Sequence, residues 1–350
     1  MAVEKSFFGN LDESTPIYFY KITNKNGASV TLQTLGAGIH SLFMPDREGK
    51  LADVVLGFDD PKYYINPDYG YQGLVVGRWA NRIRDGKFTF DSKEYITPKN
   101  QGTWTLHGGG RFSFTPWEVE ETGENFVTFM RFSPDGEDGF CGNFTMRVKY
   151  TLDDNNILRL EYGVLSDIDT VANPTNHAYF NLSGDKNRTV EDEYLLVNAD
   201  YFTETDENQL PTGELGEVKD TMMDFTALHK IGDNIDVPFR AIIEGIGYDN
   251  NYCLRNKDGK MQHAATLYDE ITGRKMEVFT DLPGIQVYCG GWLKSDYTAG
   301  KENGAVSYRR GVALETQFYP DTVNIKDFPI RTVKANEEFK TVTEFRFSVE

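Results

Sequence analysis

Several features that would each have named a chemistry are scarce or missing. Cysteine occurs three times in 350 residues, at Cys141, Cys253 and Cys289, and no two form a CxxC pair. Neither a disulfide framework nor a cysteine zinc knuckle is written there. Three widely spaced thiols read as reduced and buried, the pattern of a cytoplasmic protein. Positive charge is in deficit: 36 Lys and Arg face 54 Asp and Glu, a formal net charge of −18. Such a surface repels phosphate backbones and anionic lipid, so nucleic acid and membranes are not expected partners, whereas a neutral small molecule is. No run approaches the roughly 20 apolar residues of a membrane helix. Met1 to Asn10 lacks the basic start and apolar stretch of a signal peptide. There is no GxGxxG after a strand, no Walker phosphate loop and no HExxH, so neither a nucleotide cofactor nor a closely spaced metal centre is expected.

What is present is a period of two. Phe144, Met146, Val148, Tyr150 and Leu152 alternate with Thr145, Arg147, Lys149 and Thr151. Asp153-Asp154-Asn155-Asn156 makes a turn, and Leu158, Leu160, Tyr162 and Val164 resume the alternation, which predicts a β-hairpin with one buried face. Similar units surround the turn at Pro45 to Gly49, precede Asp91-Ser92-Lys93, and close the chain at Phe345, Phe347 and Val349. Helical patterns are short, the best being Tyr71 to Asn81. Many short strands between frequent turns predict an all-β fold, a large antiparallel β-sandwich with a few short helices. No linker, repeat or boundary divides it, so residues 1–350 read as one domain.

Histidine is also rare, with five residues, and its free pKa of roughly 6.5 suits it to both giving and taking a proton. His107 lies in Leu106-His107-Gly108-Gly109-Gly110. His177 lies in Pro174-Thr175-Asn176-His177-Ala178-Tyr179-Phe180-Asn181, among hydrogen-bonding side chains. His40 reads as a core or edge residue, and His229 and His263 as surface residues. Glu315 ends the apolar run Gly311-Val312-Ala313-Leu314, where a carboxylate is costly to bury unless it is paired, and where burial tunes it toward base chemistry. Asp249, in Gly247-Tyr248-Asp249-Asn250, reads locally as a turn residue. Arg78 and Arg82 flank Trp79 and fit either a structural ion-pair cluster or the floor of a sugar site.

Together these segments resemble the aldose 1-epimerase (galactose mutarotase) family. The resemblance runs in order through Gly36-Ala37, Asp53 to Phe58, Gly77-Arg78-Trp79-Ala80-Asn81-Arg82-Ile83 and Leu106 to Gly109. It continues through Thr175 to Leu182, Leu210-Pro211-Thr212-Gly213, Gly247 to Asn250, Pro283 to Tyr288, and Leu314-Glu315-Thr316-Gln317 with Pro320-Asp321. The resemblance implies a galactose-mutarotase-like β-sandwich that interconverts the α and β anomers of free aldohexoses. It implies Glu315 as general base and His177 as general acid, with His107, Asp249, Arg82, Asn81, Gln286 and Tyr179 on the substrate. Ring opening and closure oxidise nothing and move no phosphate, so no cofactor or metal is expected, and a cytoplasmic monomer or homodimer is the expected form. Two departures, Asn250 where the family often has histidine and Gly291 where it often has asparagine, flank the expected site and bear on substrate preference.

The chemistry explains those parts. A cyclic hemiacetal opens when a base takes the C1 hydroxyl proton while an acid protonates the ring oxygen. The C1–C2 bond turns, and the same groups close the ring in reverse roles. Three other readings use some of the same residues: an epimerase of hexose 6-phosphates leaning on Arg78, Arg82 and Arg111, a carbohydrate-binding module built on Trp79 and Trp104, and a glycoside hydrolase pairing Asp249 with Glu315.

Overall fold

The computed structural model describes residues 2–185, 187–255, 258–293, 300–301 and 306–350. The alternation in sequence sets its architecture. Along Phe144–Leu152 every second residue, from Phe144 to Leu152, is buried, and those between are half-buried. The strand pairs antiparallel with Ile157–Ser166, Leu152 opposite Leu158, and Asp153 Oδ1 closes the turn by accepting from the amides of Asn155 and Ile157. Each Leu, Val or Phe so buried contributes about 1.5–3 kcal/mol relative to exposure.

This hairpin sits in a nine-stranded antiparallel sheet. Its order is Glu118–Thr122, Phe126–Ser133, Phe144–Leu152, Ile157–Ser166, Phe339–Val349, Arg274–Thr280, Gln262–Tyr268, Tyr194–Val197 and His229–Lys230. The last strand of the chain thus lies at the middle of the sheet. A five-stranded meander, Ala2–Asn10, Pro16–Thr23, Ser29–Gln33, Gly38–Pro45 and Leu51–Asp53, runs in chain order. A six-stranded sheet runs Tyr179–Phe180, Val312–Gln317, Gly284–Tyr288, Asp249–Leu254, Ala199–Thr205 and Pro211–Glu217. One apolar cluster takes residues from all three sheets, among them Ile39, Val148, Val287, Leu314 and Phe345. Phe180 meets Phe345 at 4.9 Å between ring centroids, and Thr316 meets Thr343 through their hydroxyls. The six-stranded sheet therefore has one face on the nine-stranded sheet, which is the sandwich the alternation predicts.

Tyr71 to Asn81 is not helical. Val75–Val76 is a short strand paired with Thr175–Asn176, and Tyr71, Gly73 and Asn81 have φ of +54°, +72° and +63°. A helix cannot pass through left-handed residues. Gly73 has no alternative, since a Cβ there would stand 2.0 Å from the carbonyl oxygen of Ile39. Leu74, Val75, Val76, Trp79 and Ala80 are all buried, so their spacing records burial on every side and not one helical face. Among the described residues the α-helices are Pro61–Tyr64 and Arg240–Gly245, and no helix is long and apolar enough to cross a membrane.

Candidate active site

Period two also decides what the other face of the six-stranded sheet carries. Val312 and Leu314 point into the core, so Ala313, Glu315 and Gln317 point away from it. Register places Gln286 opposite Glu315, Asn251 opposite Gln286, Asp249 opposite Tyr288, and Tyr179 opposite Ala313. Glu315, Gln286, Tyr288, Asp249 and Tyr179 thereby line one cavity of about 280 Å³, near the small end of ligand sites (roughly 300–1,000 Å³). Asn81, Arg82, His107 and His177 complete its wall, with Tyr71, Gln101 and Trp292 also lining it. All eight residues expected at a site therefore meet around one space, although they span more than two hundred positions of chain.

His177 is fixed by its backbone, its amide donating to the carbonyl of Leu74 and its carbonyl accepting from Gly73, each at 2.9 Å. Its ring is boxed in by Tyr179 at 5.0 Å, His107 at 5.3 Å and Tyr71 at 6.1 Å between centroids. Its Nε2 lies 3.4 Å from Glu315 Oε1, and both side chains are buried. Burial pushes the His177 imidazole down to about 4. Burial, and then the negative charge of Asp249, hold the Glu315 carboxyl well above the usual carboxylate range, while Arg82 opposes this. Above the low titration of His177 and below the raised titration of Glu315 the pair therefore holds a single proton between its two members.

Six buried polar atoms around the cavity have no hydrogen-bond partner: His177 Nδ1, Glu315 Oε2, Gln286 Oε1, Tyr179 Oη, Tyr71 Oη and Arg82 Nε. Buried polar atoms are normally satisfied, so their clustering at one cavity marks a site that takes a polar ligand. His107 faces the same space with its roles fixed. The Asn81 amide donates to His107 Nδ1 at 3.2 Å, so the proton of the neutral ring belongs on Nε2. Burial and the neighbouring His177 and Arg82 keep that ring well below the ordinary histidine range, and hence neutral. His107, His177 and Glu315 offer one ligand atom each within 4.8 Å of the others. A metal on His107 Nε2, however, would require moving its proton onto Nδ1, against the Asn81 amide. The donor set fits hydroxyl binding better than metal ligation.

Several local readings resolve differently from one another. Arg78 is structural: Nε donates to Ser133 Oγ, Nη1 to the Cys141 carbonyl, and Nη2 to the carbonyls of Ser133 and Pro134. Trp79 is fully buried in a separate apolar cluster with Ile83, Phe88, Phe140 and Val171, and so forms no sugar floor. Arg111 lies 3.5 Å from Asp138 and does not line the cavity. Asp249 is the start of a strand and not a turn. Asn250 and Gly291 do not line the cavity either. Gly291 packs so closely that a Cβ would meet the Ile246 carbonyl at 2.1 Å. His40 is buried against the Tyr64 hydroxyl and His229 is exposed, whereas His263 is half-buried against Thr266 and Phe279.

The local sequence gave no sign of Tyr71, which lay inside the expected helix, or of Gln209, which sits just before the Leu210-Pro211 turn. Gln209 donates through Nε2 to Asp249 Oδ2 at 3.1 Å and accepts through Oε1 from Arg82 Nη2 at 2.7 Å.

Known proteins resemble this chain over nearly its whole length. Residues 18–346 match the aldose 1-epimerase family. The galactose mutarotase of Sus scrofa is 37% identical over 351 residues, covering 100% of this chain and 99% of that protein. The solved structure of an aldose epimerase homologue from C. elegans superposes with a TM-score of 0.84 at 30% identity, covering 95% of this chain and 98% of that one. That of galactose 1-epimerase from Lactobacillus acidophilus gives 0.85 at 25% identity, with 99% of each chain covered. The chain belongs to the aldose 1-epimerase family, isomerases that interconvert the α and β anomers of aldoses.

Proposed function

We propose that the cavity opens and recloses the ring of a free aldohexose, galactose in the first instance, with Glu315 as base and His177 as acid. The observation that carries this reading is the Glu315–His177 pair itself, two buried groups 3.4 Å apart that share one proton at the floor of a small polar cavity. In the productive form Glu315 is the carboxylate and His177 the imidazolium, an arrangement with the same proton count as the neutral pair. Glu315 takes the C1 hydroxyl proton as His177 gives its proton to the ring oxygen, leaving the open aldehyde beside a neutral carboxyl and a neutral imidazole. Burial favours that neutral pair, so the environment that lowers His177 and raises Glu315 stabilises the ring-opened state. After rotation about C1–C2 the transfers reverse. His107 Nε2–H, Arg82 and Asn81 supply contacts to the other hydroxyls, and Asp249, Gln286 and Tyr179 supply acceptors and a further hydroxyl.

Galactose is the first substrate to test, since the Sus scrofa relative is a galactose mutarotase. A phosphorylated hexose is less well suited, since Arg78 is spent on Ser133, Pro134 and Cys141 and Arg111 lies off the cavity beside Asp138, which leaves Arg82 as the one arginine of the three that lines it. A cytoplasmic setting is supported by three cysteines that are all unpaired and buried. Action as a single β domain is supported by a cavity lined from Pro67 to Glu315 and by a core cluster joining Tyr20 to Phe347. Polarimetry on freshly dissolved α-galactose tests the reaction. Wild type should speed the approach to equilibrium, Glu315→Gln and His177→Asn should each lose most of that effect, and unimpaired variants would overturn the roles.

A further inference from the structure

We propose that Gln209 is a positioning residue, an amide wedge that keeps Arg82 and Asp249 from closing on each other so that both stay available to the sugar. The inference rests on the mutarotase reading of the cavity. Arg82 Nη2 and Asp249 Oδ2 stand 3.7 Å apart, both nearly buried. A buried guanidinium and carboxylate left to themselves settle at about 2.7–2.9 Å, often in a bidentate fork. Here the carboxamide of Gln209 spans the pair, its NH2 on the carboxylate and its oxygen on the guanidinium. Gln286 Nε2 holds the other oxygen, Asp249 Oδ1, at 2.6 Å. Asp249 thus takes its hydrogen bonds from two neutral amides and not from the guanidinium, which leaves lone pairs on its oxygens for hydroxyl donors.

The chain invests in placing this side chain. Gln209 has φ +59°, a left-handed conformation uncommon for a residue with a Cβ. Asp206 enforces it: its Oδ1 accepts from the amides of Asn208 and Leu210, its carbonyl accepts from the Gln209 amide, and its Oδ2 takes Arg84 Nη2 at 3.0 Å. The turn between Ala199–Thr205 and Pro211–Glu217 is therefore tied down on the side that presents Gln209 to the site. Gln209 does not itself line the cavity, which makes it a positioning group and not a substrate contact.

The test is steady-state mutarotation of α-galactose by wild type, Gln209→Met, which keeps length without hydrogen bonds, and Gln209→Glu, which keeps the acceptor for Arg82 but loses the donor to Asp249. The wedge predicts that KM rises about tenfold in both variants with kcat within about threefold, the signature of lost ground-state binding. It also predicts that Tm stays near wild type in at least one of them. KM within twofold of wild type in either folded variant would overturn the wedge, as would kcat falling with KM unchanged. Wild type without activity would instead refute the mutarotase reading, so the two failures are distinguishable.

Discussion

Arg78 and Arg82 stand four residues apart in one motif, and both are buried, yet their surroundings are opposites. The guanidinium of Arg78 is nearly saturated, every one of its nitrogens donating in four hydrogen bonds to Ser133, Pro134 and Cys141, and its face lies 4.7 Å from the Phe144 ring. Arg82 leaves Nε without a partner, on a wall where His177, Glu315, Gln286, Tyr179 and Tyr71 also leave atoms unsatisfied. Folding completes the first environment by itself. The second is left incomplete, as a site for a polar ligand requires. Burial of charge alone therefore does not mark a functional site; what sets this one apart is that several unpartnered buried atoms gather around a single cavity.

That contrast can be broken by substitution. The largest effect is expected at the proton pair: Glu315→Gln should lower kcat about 10²–10⁴-fold in polarimetric assays while its melting curve stays close to wild type. Next comes the structural arginine. Arg78→Met strands buried carbonyls and should cost roughly 3–5 kcal/mol of stability in a denaturant titration, with KM of the folded fraction unchanged. Arg82→Met should do the reverse, raising KM for galactose about tenfold with a much smaller loss of stability. The smallest effect concerns pH. With His177 held down to about 4 and Glu315 held up, the one-proton pair persists between them. Below about pH 4 His177 gains a second proton for the pair and Glu315 stays protonated, so no base is left and kcat/KM falls. At high pH the pair loses its only proton and no acid is left. The acid-side break of kcat/KM should therefore fall near pH 4, whereas a solvent-exposed histidine would give a break near its free value of roughly 6.5.

The two arginines also show what a sequence can and cannot disclose. Local pattern could name both as a structural cluster or a sugar floor and could not choose, because the choice depends on Ser133 and Cys141 in one case and Gln209 and Asp249 in the other. The hairpin from Phe144 to Ser166 was legible because one alternation and one turn define it. Placing Phe339–Val349 at the centre of the nine-stranded sheet was not, since its partners, Ile157–Ser166 and Arg274–Thr280, lie far away in the chain. Tyr71 to Asn81 misled because complete burial mimics helical spacing when the backbone constraint at Gly73 comes from Ile39. The eight candidate residues were named because ordered motifs carry them, and strand register then explains how Glu315, Gln286 and Asp249 reach one face. Gln209 lay beside such a motif, and its meaning exists only in two hydrogen bonds.

The central claim is that His177 and Glu315 act as one proton-carrying unit. Groups that act as a unit have strongly non-additive effects on rate. The direct measurement is kcat for α-galactose mutarotation by wild type, Glu315→Gln, His177→Asn and the double variant. If the pair is one unit, the double variant should be about as slow as the slower single variant. Losses that multiply across the two sites would contradict it.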